Sequence, residues 1–168
     1  MKLLTLNTHS LVEEYYSEKL EAFVQAAAEE QPDVIALQEV NQTIAEMPVK
    51  TAQGYIPCAQ GIAIRQDNHV YHAAEMLKNR GVRYFWTWLP LKKGYGKYDE
   101  GIALMSRSPI IETKIVQTSA IDDYNNWKTR KILGIRTETA PEEWFFSVHY
   151  GWWNDPDEPF QGQWQRTQ

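Results

Sequence analysis

Apolar residues fall along this chain in distinct rhythms, and each rhythm predicts a different element. Leu3, Leu4 and Leu6 make a short apolar run over 2–7, suited to a buried strand. From about 13 to 30, Tyr16, Leu20, Phe23, Val24 and Ala27 recur at spacings of one, three and four, giving the single stripe of an amphipathic helix. Pro32 stops that helix, and Asp33 leads into Val34-Ile35-Ala36-Leu37. That run has no polar alternation, so it reads as a strand covered on both faces. Strand, helix and buried strand in succession form a βαβ-like unit of a layered α/β fold.

The stretch 41–68 has no clear period and contains Pro48, Gly54, Pro57 and Gly61, which predicts mostly loop. A second helix is expected over about 68–80, with Val70, Ala73, Ala74 and Leu77 on one face and Gly81 after its end. Strand patterns then follow over 82–89, 101–106, 110–118, 130–137 and 144–149. Turn-rich pieces, Pro90-Leu91-Lys92-Lys93-Gly94 and Thr139-Ala140-Pro141, separate them. The last stretch begins with Asn154-Asp155-Pro156-Asp157 and then opens another helix.

Composition narrows the classes. With 168 residues, 43% apolar and 23% charged, the chain has the makings of one domain rather than a disordered tail. Its net charge of −5 disfavours general affinity for a polyanion, so a nucleic-acid partner is the less favoured one. No apolar run reaches membrane-span length, and 1–7 carries no secretory pattern, so no membrane partner is expected. The lone Cys58 excludes an intrachain disulfide and a cysteine zinc site, and fits a reducing, cytoplasmic setting.

Familiar catalytic signatures are missing. Gly94-Tyr95-Gly96-Lys97 lacks the spacing of a phosphate-binding P-loop, and neither HExxH nor GxSxG occurs. His69 and His72, three apart, could meet a metal, but two histidines on a solvated helical face is the favoured reading. Four other segments carry more. Asn7 ends the first predicted strand, and Gln38-Glu39-Val40 ends the second, putting a carboxylate where α/β sheets place their sites. The segment from Tyr98-Asp99-Glu100 to Ser108-Pro109 is a polar loop running into a strand, and Ser147-Val148-His149 closes a later one. Singly, each has a plainer explanation as a cap, a solvated group or packing. Together, at strand ends and in this order, they point to one site.

These segments resemble the endonuclease/exonuclease/phosphatase superfamily, the group of the pancreatic deoxyribonuclease-like enzymes. The likeness lies in Leu3-Leu4-Thr5-Leu6-Asn7, in Pro32 through Val40, in Gly101 through Ile110 and in Val148-His149, and it runs from Met1 to about Arg166. It implies an α/β (α+β) fold, a four-layer α/β/β/α sandwich of two mixed sheets. It also implies phosphoester hydrolysis by in-line attack of water, with Mg²⁺ or Mn²⁺ as cofactor. By the same resemblance Glu39 holds the metal, with Asn7 beside it or touching the phosphate. Glu100 would accept a hydrogen bond from His149 and keep that imidazole cationic, and Tyr98 would donate to a phosphate oxygen. Arg130 is a further phosphate contact on this view, and equally open to a purely structural role.

The family pattern continues into a Gly-Asp-x-Asn strand end and a closing Asp-His pair, which do not follow His149. Residues 1–168 thus look like the N-terminal two-thirds of a single domain, incomplete in this chain. The expectation is an isolated chain with little or no activity, supplying mainly one sheet whose bare inner face promotes self-association. For the substrate, seven Trp residues matter. Trp127 and Trp144 are read as packing residues, whereas Trp152 and Trp153, just past His149, are equally suited to lining a substrate. Leu37 through Gln42, Tyr98 through Gly101, and His149-Tyr150-Gly151-Trp152-Trp153 are similar to bacterial maltose 6'-phosphate phosphatases. That likeness implies a small sugar phosphate as the substrate. The alternatives are a nucleic-acid phosphodiesterase, with a rim at Lys92, Lys93 and Lys97 more simply read as a solvated loop, and a non-catalytic sugar-phosphate-binding protein.

Overall fold

A computed structural model describes residues 1–59 and 61–168. The chain opens with β1 (Leu3–Asn7), passes a 3₁₀ turn at Ser10–Val12 and enters α1 (Tyr16–Glu30). After β2 (Val34–Thr43) and a long irregular stretch come α2 (His69–Asn79), β3 (Phe85–Gly94) and β4 (Tyr98–Ser106). Then follow β5 (Ile110–Gln117), β6 (Lys131–Thr137), β7 (Ala140–Ser147) and the short α3 (Phe160–Gln165).

The periodic stripe of α1 is its buried face, through Leu20, Val24 and Ala27. The helix begins later than the pattern suggested, because Tyr15 precedes it in a left-handed conformation with no side-chain cap. By contrast α2 is capped: the Asn68 side chain accepts from the Val70 and Tyr71 N–H groups, and Gly81 follows at φ 82°.

One sheet has the order β1-β2-β4-β3, with β1 parallel to β2 and the other pairs antiparallel. The second, β5-β6-β7, is antiparallel throughout. The fold is therefore α+β with two sheets, one of them mixed among the described residues rather than both. Alternation along the strands shows how the layers stack. Ile35, Leu37, Trp86, Trp88 and Met105 pack with Val24 and Leu77 of the helices. Their neighbours Val34, Ile102 and Leu104 pack with Leu133 and Ile135 of the second sheet. This double coverage is why the run after Asp33 has no polar alternation.

The expectation of a bare inner face is corrected by that packing: the chain supplies three strands of the second sheet, and they cover the first. What stays open is an edge. Leu3 on β1 is 62% exposed, and a cleft of about 430 Å³ runs between β1 and β7, lined by Leu4, Ala36, Trp144, Phe146 and Val148 among others.

Other boundaries shift for identifiable reasons. Pro90 through Gly94, read as a turn, forms the second half of β3. Proline is tolerated there because β3 is the sheet edge and its register slips between Pro90 and Lys92. Residues 98–100, read as loop, belong to β4, which lies between β2 and β3 and is buried throughout. Ala140 and Pro141 already belong to β7, a sheet edge. The Asp155 carboxylate accepts from the Asp157 and Glu158 N–H groups, holding the turn that leads into α3, the helix expected after Asp157.

Candidate active site

The site is built around an irregularity in β2. Between Leu37 and Val40 the strand slips register against β4, and Glu39 adopts a left-handed φ of 53°. A non-glycine residue there costs on the order of 1 kcal/mol, and bulges of this kind re-aim a side chain. The Glu39 carboxylate meets two neighbouring elements. Asn7, at the end of β1, donates from Nδ2 to Oε1 at 3.0 Å. The Asn7 Oδ1 accepts from the His9 backbone N–H at 3.2 Å, which fixes the amide's orientation and leaves that oxygen one lone pair. His149 Nε2 lies 3.7 Å from the same Oε1.

His149 is two residues beyond β7, yet it is placed over β2 by a tie between the sheets. Ser147 Oγ donates to the Leu37 carbonyl at 3.0 Å and accepts from Gln38 Nε2 at 3.1 Å, in a fully buried position. The structure thus brings together Asn7, Glu39 and His149, which are far apart in sequence.

A row across three strands forms the rest of the floor. Asn41 on β2, Glu100 on β4 and Lys92 on β3 are register partners and share one face. Lys92 Nζ is 3.1 Å from Glu100 Oε1, and both residues are more than 90% buried. This corrects two expectations. Lys92 is no solvated loop residue, and Glu100 pairs with Lys92, which faces it directly, rather than with His149. Asn41 is 1% exposed and its Oδ1 has no partner among the described residues.

The imidazole of His149 is also not held cationic. Burial pushes its pKa below the ordinary value, the positive charges of Arg130 and Lys92 push it further, and Glu39 and Glu100 only partly oppose them. Lys92 is likewise lowered by burial and by Arg130, against the pull of Glu100. Arg130 therefore depresses the charged forms of both Lys92 and His149, and Lys92 that of His149, a conflict that an anion bound among them would relieve. Arg130 itself is buried, with Nη1 donating to the carbonyls of Trp127 and Thr129 and with Nε unpartnered among the described residues.

Tyr98 is corrected as well. It is buried, and its hydroxyl makes a long 3.4 Å contact to the Leu11 carbonyl rather than presenting itself to a ligand. Trp152 and Trp153 are 78% and 79% exposed on the loop beyond His149. Trp127, expected to pack, is also largely exposed, while Trp144 stacks on Phe146 as a sheet-face residue. His69, expected on a solvated face, is buried with Nδ1 2.9 Å from the Tyr16 hydroxyl. Sequence reasoning missed His9 and Tyr95. His9 Nε2 lies 3.9 Å from Glu39 Oε2 and 3.5 Å from the Tyr95 hydroxyl, and both residues have left-handed backbones. A histidine two places after Asn7 and a tyrosine between two turn glycines were the available signals.

Among the described residues no cluster of three or more His, Cys, Asp or Glu forms a ready metal centre. The donor set nevertheless suits a hard divalent ion, which takes oxygen ligands and retains waters. Glu39 supplies a carboxylate, Asn7 the remaining lone pair of its amide oxygen, and Asn41 an oxygen with no partner among the described residues.

Comparison with known proteins places this geometry. Residues 4–168 match the sequence pattern of the Endonuclease/Exonuclease/phosphatase family. The chain belongs to that family. Among solved structures it is similar to an endonuclease/exonuclease/phosphatase family protein from Leptotrichia buccalis, at 28% identity and a TM-score of 0.85. That match covers 99% of this chain and 60% of the Leptotrichia chain, so the chain spans about three-fifths of its relative's length. Two more distant members show the shared fold. A 3'-5' exonuclease from Neisseria meningitidis is 19% identical with a TM-score of 0.51, over 98% of this chain and 48% of its own. TDP2 of D. rerio, complexed with a single-strand DNA product, is 15% identical with a TM-score of 0.54, over 92% and 48%. No curated protein matches the chain in sequence. Family members are hydrolases of the nuclease and phosphatase type, and no described helix is long and apolar enough to cross a membrane.

Proposed function

We propose that this chain carries the phosphate-binding part of a metal-dependent phosphoester hydrolase acting on a small sugar phosphate, of the maltose 6'-phosphate kind. The observation that carries the reading is the convergence of Asn7, Glu39 and His149 beside the buried basic pair Lys92 and Arg130. Carboxylate and amide oxygens suit a divalent cation, and the basic groups suit the phosphate it accompanies. Mg²⁺ or Mn²⁺, held by Glu39 with Asn7, would neutralise charge on the phosphoryl oxygens. His149, half-buried and with its pKa lowered by burial, takes a proton from solvent water as the phosphate dianion approaches and then donates from Nε2 to a phosphate oxygen. Arg130 and Lys92 stabilise the charge from behind, in a setting where water is scarce and such interactions are strong. Glu100 fixes Lys92 in place.

The sugar reading draws on the exposed indoles of Trp152 and Trp153, flat apolar faces next to His149. A nucleic-acid substrate fits less well, because Lys92 is turned inward and the basic rim is reduced to Lys93 and Lys97. In this reading residues 1–168 are the N-terminal two-thirds of the family domain, and a water-orienting carboxylate and a second imidazole lie outside them. General acid–base help of that kind is worth about 10²–10⁴-fold, so the chain alone should turn over slowly or not at all. Self-association through the open β1 edge is the accompanying expectation. A clean monomer in sedimentation would contradict it.

Indole fluorescence of the purified chain tests the substrate. With Mn²⁺ present, hexose and disaccharide phosphates should quench or shift the emission, and an oligonucleotide should not compete. Preferential binding of the oligonucleotide, with a steep salt dependence, would overturn the sugar reading.

A further inference from the structure

Tyr95 occupies a position for which turn chemistry prefers another residue. Residues 94–97 close a β-turn through the Lys97 N–H and the Gly94 carbonyl at 3.1 Å, and the central pair Tyr95-Gly96 has φ of 50° and 71°. Two positive φ values are the requirement of a type I′ hairpin turn, where Asn-Gly is strongly favoured. A bulky aromatic residue is strained there. Packing does not explain it either, since the side chain is 65% exposed and meets Tyr98 only edge-on, at 6.4 Å between ring centres.

The ring is instead placed beside the floor of the site. Its hydroxyl is 3.5 Å from His9 Nε2 and close enough to Glu39 and Glu100 for their charges to act on it. His9 is in turn braced: Nδ1 is 2.8 Å from Glu13 Oε1, and Glu13 is ion-paired with Lys19. His9, Glu39 and Tyr95 are three of the six non-glycine residues with positive φ among the described residues, and they converge at one point. Strain concentrated in this way marks a place where side-chain position outweighs backbone preference.

We propose that Tyr95, steadied by His9, is a specificity-determining residue that offers its ring to the hexose of the substrate while the floor holds the phosphate. The inference rests on the sugar-phosphate reading above and names the surface that recognises the sugar. An exposed phenol has a flat face for the C–H side of a pyranose and a hydroxyl for one of its hydroxyl groups.

The test uses Tyr95→Asn, which installs the residue the turn prefers and so preserves the fold. Binding of glucose 6-phosphate and of inorganic phosphate is measured by calorimetry in Mn²⁺ for the wild-type chain, Y95N, Y95F and E39Q. Wild type should prefer glucose 6-phosphate; Y95N should weaken it about three- to tenfold and leave inorganic phosphate within about twofold. Y95F should keep most of the preference, and the thermal midpoint of Y95N should be unchanged or higher. Equal weakening of both probes by Y95N, or no weakening of either, overturns the role of Tyr95 while E39Q still reports a phosphate site. Wild type that binds neither probe, indistinguishable from E39Q, removes the sugar-phosphate reading and this inference with it.

Discussion

The floor and the rim of the site are built on opposite plans. Asn7, Glu39, Asn41, Lys92 and Glu100 project from paired strands. Tyr95, Trp127, Trp152 and Trp153 project from turns and loops, with most of their surface in water. Groups that must meet a phosphate within tenths of an ångström belong on rigid elements, whereas groups that choose among leaving groups can sit on variable loops. The two should therefore respond differently to perturbation, the floor through stability and ion binding, the rim through selectivity.

The largest expected effect is at the buried pair of the floor. Lys92→Met leaves Glu100 inside without its partner, and denaturant unfolding should show a loss of about 3 kcal/mol, the low end of the range because Arg130 remains nearby. A loss below the level of a surface substitution would show that the floor is not held by this pair. Behind the floor, His69 is buried against Tyr16, and burial lowers its pKa from 6.5 to about 4. The unfolded chain binds that proton more readily, so the stabilisation is present above pH 6.5 and is lost as pH falls towards 4. The full acid loss is about 3 kcal/mol, and His69→Gln should flatten that limb of the stability–pH curve. An unchanged acid limb would contradict the assignment.

Smaller effects follow. Ser147→Ala removes the tie between the sheets and leaves the Gln38 amide only its long 3.4 Å bond to Thr5 Oγ1, costing about 1–3 kcal/mol. Because Ser147 positions His149, phosphate affinity should fall with stability. At the rim, Trp152→Ala and Trp153→Ala should each stay within about 0.5 kcal/mol of wild type in stability. A larger loss would mean that these indoles pack rather than wait for a ligand.

Much of this division was legible in the sequence. Leu20, Val24 and Ala27 announced the packed face of α1, and the unbroken apolar run after Asp33 announced a strand covered on both sides. Asn7 and His149 were readable because each closes or follows a strand, whereas Glu39, read as a strand end, sits at a bulge inside β2, which continues to Thr43. What stayed hidden depends on pairing between strands. Lys92 and Glu100 looked like loop residues, since Pro90 suggests a turn until β3 is seen to be an edge with a register slip. Tyr98 was placed in a polar loop leading into a strand, but it belongs to β4, which is buried on both faces. His9 and Tyr95 depend on left-handed backbones that no local pattern of apolar residues reveals.

The central claim is that Glu39, Asn7 and His149 hold a metal-accompanied phosphate. Titration of Mn²⁺ into the wild-type chain and into Glu39→Gln, each with inorganic phosphate present, tests it most directly. Outer-shell partners alone are worth about 10–100-fold in metal affinity, so losing a ligating carboxylate should weaken Mn²⁺ by at least about 100-fold. Equal affinity in the two proteins would contradict the claim.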